Sequence, residues 1–188
     1  LDDGSCILAS GPELFQFNQS QNQAFYYMFS VNYQASPDSD FPTAIAADDW
    51  VGAFRDVDGD GVRSEGDVCV GAKKWDDDAC QSGVCDIALM GVDPFNLDAT
   101  SNYMQDGDLP LFVVWDADTN TFYDAKIESS NGQNFDFVAY DYPWGSNAFL
   151  VVQELSVKFD CNNELGGHAF IDSCDDCVGG SALDANDE

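Results

Sequence analysis

The chain has 188 residues, and 35 Asp and Glu face only 6 Lys and Arg, for a formal charge of -29. Such a surface repels phosphate backbones and anionic membranes, which excludes nucleic acid as a partner, and no apolar run is long enough to place the chain in a bilayer. Hydrophobic residues make up 45% and aromatics 13%, too many for a disordered acidic tail. So much like charge calls for counterions, and clustered carboxylates hold divalent cations well.

Leu1-Asp2-Asp3-Gly4 reads as the start of a mature or excised segment, and residues 1–12 as a linker. Strand character begins at Glu13 and culminates in the run Ala24 to Tyr33, whose aromatic and β-branched content suits one long strand, with helix as the competing reading. Trp50 to Arg55 and Val68 to Ala72 are strands around an Asp/Gly loop. Further candidates are Leu111 to Trp115, Thr121 to Ile127, Phe135 to Tyr140 and Ala148 to Phe159. Asp116 to Asn120 makes a hairpin turn. Short strands between Gly, Asp, Asn and Pro turns predict an all-β fold, a jelly-roll or immunoglobulin-like β-sandwich over residues 13–159. From Asp160 to Glu188 the chain is acidic, glycine-rich and holds three of the seven cysteines, and it is expected to be an extended, disulfide-rich tail or inter-module linker.

The strongest local signal is residues 56–67. Asp56, Asp58, Asp60, Ser64 and Asp67 place oxygens at loop positions 1, 3, 5, 9 and 12, Gly61 supplies the sharp turn at 6, and Val62 offers a carbonyl at 7. This is the ligand spacing of an EF-hand-type calcium loop, and hard oxygen donors at this density favour calcium over transition metals. The flanks read as strands instead of helices, so the expected role is a structural clamp and not a calcium-sensing switch. The competing reading is a solvated acidic turn. The groups Asp48-Asp49, Asp76 to Asp78, Asp106/Asp108 and Asp116/Asp118 read as solvated turns before ligand sets.

Seven cysteines point to an oxidising compartment, and an odd number leaves one thiol free or bonded to a neighbouring chain. The spacer in Cys80 to Cys85 can close a small disulfide loop, while Cys69 sits mid-strand as a free thiol or an alternative partner. Cys161, His168, Cys174 and Cys177 also fit a Cys3His zinc site loosely, but disulfides are the better reading in that compartment. Cys161 with Cys174 is the preferred pair, which leaves Cys6 and Cys177 near opposite ends to link successive modules. His168, the only histidine, lies in the tail, away from any inferred pocket. No nucleophile elbow, phosphate loop or zinc-protease motif is present, so an enzyme is not expected. Trp50 and Trp115 fall in strands and read as core. Trp144, in a loop, is the sugar-stacking candidate, which keeps a carbohydrate-binding module open as the alternative, with surface glycans as partners.

Asp3-Gly4-Ser5-Cys6 resembles the ends of repeats in very large secreted bacterial surface proteins. The stretch Asp160-Cys161 through Gly166-Gly167-His168 to Cys174-Asp175-Asp176-Cys177-Val178-Gly179-Gly180 resembles their acidic Cys/Gly spacers. Trp50 to Phe54, Asp67 to Gly71 and Cys80 to Cys85 look like a domain of the same adhesin-like proteins, many of which carry a type 9 secretion sorting signal; none is visible here, and the long calcium loop departs from the short turn expected of that domain. The resemblance implies surface adhesion or scaffolding at the bacterial cell surface. Residues 183–188 read on into residues 1–6 as one acidic linker, which implies a unit repeated in tandem in a giant chain, or copies of itself assembled head-to-tail into an extracellular filament.

Overall fold

The computed structural model describes residues 11–39, 42–76, 80, 83–128 and 142–179. The expected strand Phe135 to Tyr140, Cys6, most of the N-terminal linker and the last acidic residues lie outside this set. Among the described residues, no helix is long and apolar enough to cross a membrane.

The fold is all-β. Strands β1 (Gln23–Met28), β6 (Cys85–Met90) and β9 (Phe149–Val152) form a three-stranded sheet in the order β6-β1-β9. A seven-stranded sheet runs β3-β2-β10-β8-β7-β4-β5, built from β2 (Val31–Gln34), β3 (Pro42–Ala44), β4 (Trp50–Arg55), β5 (Val68–Lys74), β7 (Pro110–Asp116), β8 (Thr121–Glu128) and β10 (Glu154–Val157). A short hairpin, β11 (Phe170–Ile171) with β12 (Cys177–Val178), lies in the tail.

The run Ala24 to Tyr33 is therefore two strands, not one long strand. It leaves the small sheet at Met28, passes Phe29 and Ser30, and enters the large sheet at Val31. The chain from Phe149 to Val157 makes the same change of sheet at Gln153, running parallel beside it, with β1 paired to β9 and β2 to β10. The two crossings hold each other: Phe29 donates its N–H to Val152 O (3.1 Å), Leu155 donates to Ser30 O (3.0 Å), and the Ser30 hydroxyl donates to Gln153 O (3.2 Å). Strands that switch sheets in this way make the corners of a sandwich.

Period-two alternation sets the core. Ala24, Tyr26 and Met28 of β1 and Ile87 and Leu89 of β6 share one core cluster with Val51, Ala53, Phe112, Val114, Leu155 and Val157 of the large sheet. The large sheet is apolar on its other face as well, where Phe54, Cys69 and Val113 pack beneath Phe15. Phe15 comes from a one-turn 3-10 helix, Glu13–Phe15, where the sequence had read strand. Its ring lies where a side chain on Gly52 would stand: a Cβ there would come within 2.6 Å of Phe15. Trp50 and Trp115, expected in the core, are half-buried and edge this outer cluster.

Candidate functional site

Arg55 and Val68 are the last register pair of β4 and β5, so the loop 56–67 leaves and re-enters a closed ladder. Its carboxylates hold it from within. Asp56 accepts the Gly59 N–H on Oδ1 (2.6 Å) and the Gly61 N–H on Oδ2 (2.8 Å). Asp60 accepts from Val62 (2.8 Å), and Asp67 accepts from Val57 (2.8 Å) and Ser64 (2.7 Å). Gly59 (φ 78°) and Gly61 (φ 79°) take left-handed conformations that turn their N–H groups inward. Ligand oxygens of Asp56, Asp58 and Asp60 gather within 4.8 Å of one another. Of the other expected ligands, Asp67 closes the base of the loop through its two N–H partners, and Val62 and Ser64 place their own N–H groups on Asp60 and Asp67.

Electrostatics distinguish the three carboxylates. Burial acts to raise the Asp56 carboxyl, but the N–H groups of Gly61 and Gly59 outweigh it and hold the group below its ordinary value. The Asp58 carboxyl is raised, by loss of water around it and by the negative charges of Asp60 and Asp56. The triad is thus a crowded set of oxygens, part of it held ionised, and a hard divalent cation would relieve the crowding. The other acidic groups are occupied differently. Asp49 is buried and clamps Ala46 N–H (2.8 Å) and Ala117 N–H (3.0 Å); Asp108 pairs with Arg55 (2.9 Å); Asp116 accepts from Asp118 (2.9 Å) and Thr119 (3.0 Å).

The loop forms one wall of a cleft of about 520 Å³. Leu109, just before β7, contributes with Pro110 and Leu111 at its start, Asp124 and Lys126 from β8, and Tyr142 and His168 from further along the chain. Asp124 ties two elements together: its Oδ2 bonds His168 Nε2 at 2.6 Å, and its Oδ1 lies 3.7 Å from Nε of Arg63 in the loop. Arg63 also stands 6.0 Å over the Phe54 ring. His168, expected far from any pocket, is part of this one. What the sequence reading missed is the pairing of Arg63 with Asp124, and the signal for it was the scarcity of cations, two of the six being in this cleft.

The tail is not extended over residues 160–179. Asp160 accepts N–H groups from Asn162, Glu164 and Ala169, turning the chain back, and Gly166 (φ 71°) lies against Tyr123 and Asp124 of β8. The disulfide joins Cys161 to Cys177, not to Cys174, so Cys177 is not left for linking modules. The reason is the β11–β12 hairpin: Asp172 accepts from Cys174 and Asp176, and Asp175 (φ 64°) completes a turn that puts Cys174 outward, while Cys177 sits on the strand with its Cα 5.8 Å from that of Cys161. Cys80 and Cys85 are bonded, Cys69 is a buried free thiol and Cys174 an exposed one. Two disulfides indicate an oxidising, extracellular setting.

Trp144 is not a sugar platform. It is 4% exposed, its indole N–H donates to Leu89 O (2.9 Å), and its ring occupies the space that a side chain at Gly91 would need. Compared with known protein families, curated proteins and solved structures, the chain matches none.

Proposed function

We propose that this chain is a calcium-stabilised structural module of an extracellular bacterial surface assembly, a repeat or subunit of an adhesin or filament joined head-to-tail, and that it catalyses no reaction. The observation that carries this reading is the convergence of Asp56, Asp58 and Asp60 in a loop whose two ends are paired strands. A cation there would close the first half of the loop, while Asp67 ties the second half back through the N–H groups of Val57 and Ser64, which is the behaviour of a clamp. The two disulfides and the tail docked through His168 fit the same purpose, a unit built to keep its shape outside the cell. With Cys177 bonded to Cys161, Cys174 takes its place beside Cys6 as the thiol for a bond between modules.

The test is thermal unfolding together with particle size, in calcium and after EDTA, under non-reducing conditions. A large loss of stability on chelation, with elongated assemblies in calcium that shorten in Cys174→Ser, is the expected result. A monomer indifferent to calcium overturns both the metal loop and the assembly.

A further inference from the structure

We propose that the cleft beside the Asp56–Asp67 loop binds a uronate residue of an acidic saccharide, its carboxylate held by Arg63, Lys126 and the cation of the loop. This rests on the metal reading above, because the charges in the cleft require it. The carboxylates of Asp56, Asp60 and Asp124 line the cleft against the two permanent cations Arg63 and Lys126, so without metal its balance is negative and an anion is repelled. With Asp58, the third carboxylate of the triad, counted, a divalent ion there cancels the negative excess and leaves Arg63 and Lys126 as the cationic groups of the cleft.

Two further observations point to an anionic ligand. The Arg63 side chain lines the cleft and is 21% exposed; its Nε is buried 3.7 Å from Asp124 Oδ1 and makes no hydrogen bond among the described residues, so Asp124 does not fully occupy the guanidinium. Lys126 is exposed at the same cleft and makes no ion pair among the described residues, in a chain with only 6 Lys and Arg. Arginine and lysine together suit a carboxylate, the guanidinium by its fork and the ammonium as a point charge. Leu109, Pro110, Leu111 and Tyr142 provide an apolar wall for the C–H face of a pyranose, and about 520 Å³ is within the range of small-ligand sites, about 300–1,000 Å³.

An acidic peptide presents the same carboxylate, but the cleft is poorly made for one. Its strand walls, β7 and β8, are interior strands bonded on both sides, β8 between β10 and β7, and β7 between β8 and β4. They have no free row of N–H and C=O groups for an added strand.

The experiment is calorimetric titration of the whole chain, first with calcium alone and then, in calcium and in EDTA, with galacturonate and mannuronate trisaccharides. The methyl-esterified galacturonate trisaccharide and the peptide Asp-Ala-Asn-Asp-Glu serve as comparisons. At least one uronate trimer should bind in calcium, about tenfold or more tighter than its ester, as expected for a charge-assisted contact. Lys126→Gln, at an exposed site, and Arg63→Gln should each weaken the saccharide about tenfold while Lys126→Gln still takes up calcium and unfolds cooperatively. Calcium uptake without uronate binding overturns the saccharide site and leaves the metal loop standing. No calcium uptake overturns both. Uronate binding that survives EDTA or both substitutions overturns this assignment, and so does binding of the peptide in place of the saccharides.

Discussion

Asp56 holds two backbone N–H groups, one on each carboxylate oxygen, and its folded-state pKa is depressed below the ordinary 3.8. A depressed carboxylate contributes order that is fully present above the unfolded-chain value and is lost as pH falls through the folded one. In calcium-free protein, amide exchange at Gly59 and Gly61 should therefore stay slow through the ordinary carboxylate range and quicken only below it. Asp56→Asn keeps one acceptor and turns an NH2 toward the other N–H, so it should speed that exchange at all pH values and weaken calcium binding by about tenfold or more. Unchanged exchange in Asp56→Asn would show that the loop is held by something other than its first aspartate. The two free thiols provide a second contrast. Burial pushes the Cys69 thiol up to about 11, and its Sγ contacts Gly71 O at 3.6 Å. Iodoacetamide at neutral pH should label Cys174 and spare Cys69 until the protein unfolds, as read by mass spectrometry. Rapid labelling of Cys69 in folded protein would mean that β5 opens.

At the scale of elements, the outer face of the large sheet depends on a glycine. Gly52 lies under Phe15, and Phe15 also makes edge contacts with Phe54 (5.9 Å) and Phe122 (5.6 Å). Gly52→Ala drives a methyl into that ring and should cost about 1–3 kcal/mol. In a Phe15→Ala background the same substitution should cost less, with a coupling of at least about 0.5 kcal/mol in urea unfolding. Equal costs in both backgrounds would mean that the 3-10 segment does not rest on the sheet. Much of this architecture was legible. The hairpin of β4 and β5 was plain because an Asp/Gly loop separates two apolar runs, and β7 and β8 because Asp116 to Asn120 divides them. The division of Ala24 to Tyr33 was not, since Phe29 and Ser30 are ordinary strand residues and the change of sheet is imposed by the parallel crossing at Gln153. Trp144 was misplaced for a similar reason: the slot it fills exists because Gly91, distant in sequence, lacks a side chain. Of the site, the converging aspartates were readable because they alternate within one short loop, whereas the cleft was hidden because Arg63, the β8 pair Asp124 and Lys126, and His168 come from three separate stretches of chain.

For the whole molecule the dominant fact is a charge of -29 on 188 residues. Self-repulsion of that order opposes the compact state, and two kinds of cation relieve it differently. Monovalent salt screens exposed charges generally, over about 8 Å at physiological ionic strength, and should raise the calcium-free thermal midpoint smoothly with concentration. Calcium, if it occupies the triad as proposed, adds a specific increment. At a free concentration about a hundred times its Kd it stabilises by about 2.7 kcal/mol. For a chain of this length that is roughly 5–10 °C in midpoint. Magnesium, which demands a near-ideal octahedron and sheds water reluctantly, should reproduce little of it. The combined Asp58→Asn and Asp60→Asn variant removes two of the three converging carboxylates and two negative charges together. It should unfold at a slightly higher temperature than the parent in EDTA, because repulsion falls, and at a lower temperature than the parent in calcium, because the increment is gone. That crossing of the two midpoints separates a metal site from general screening: if calcium raised parent and variant equally, the triad would be one more acidic turn on an acidic surface, and the cation serving this fold would be any cation at all.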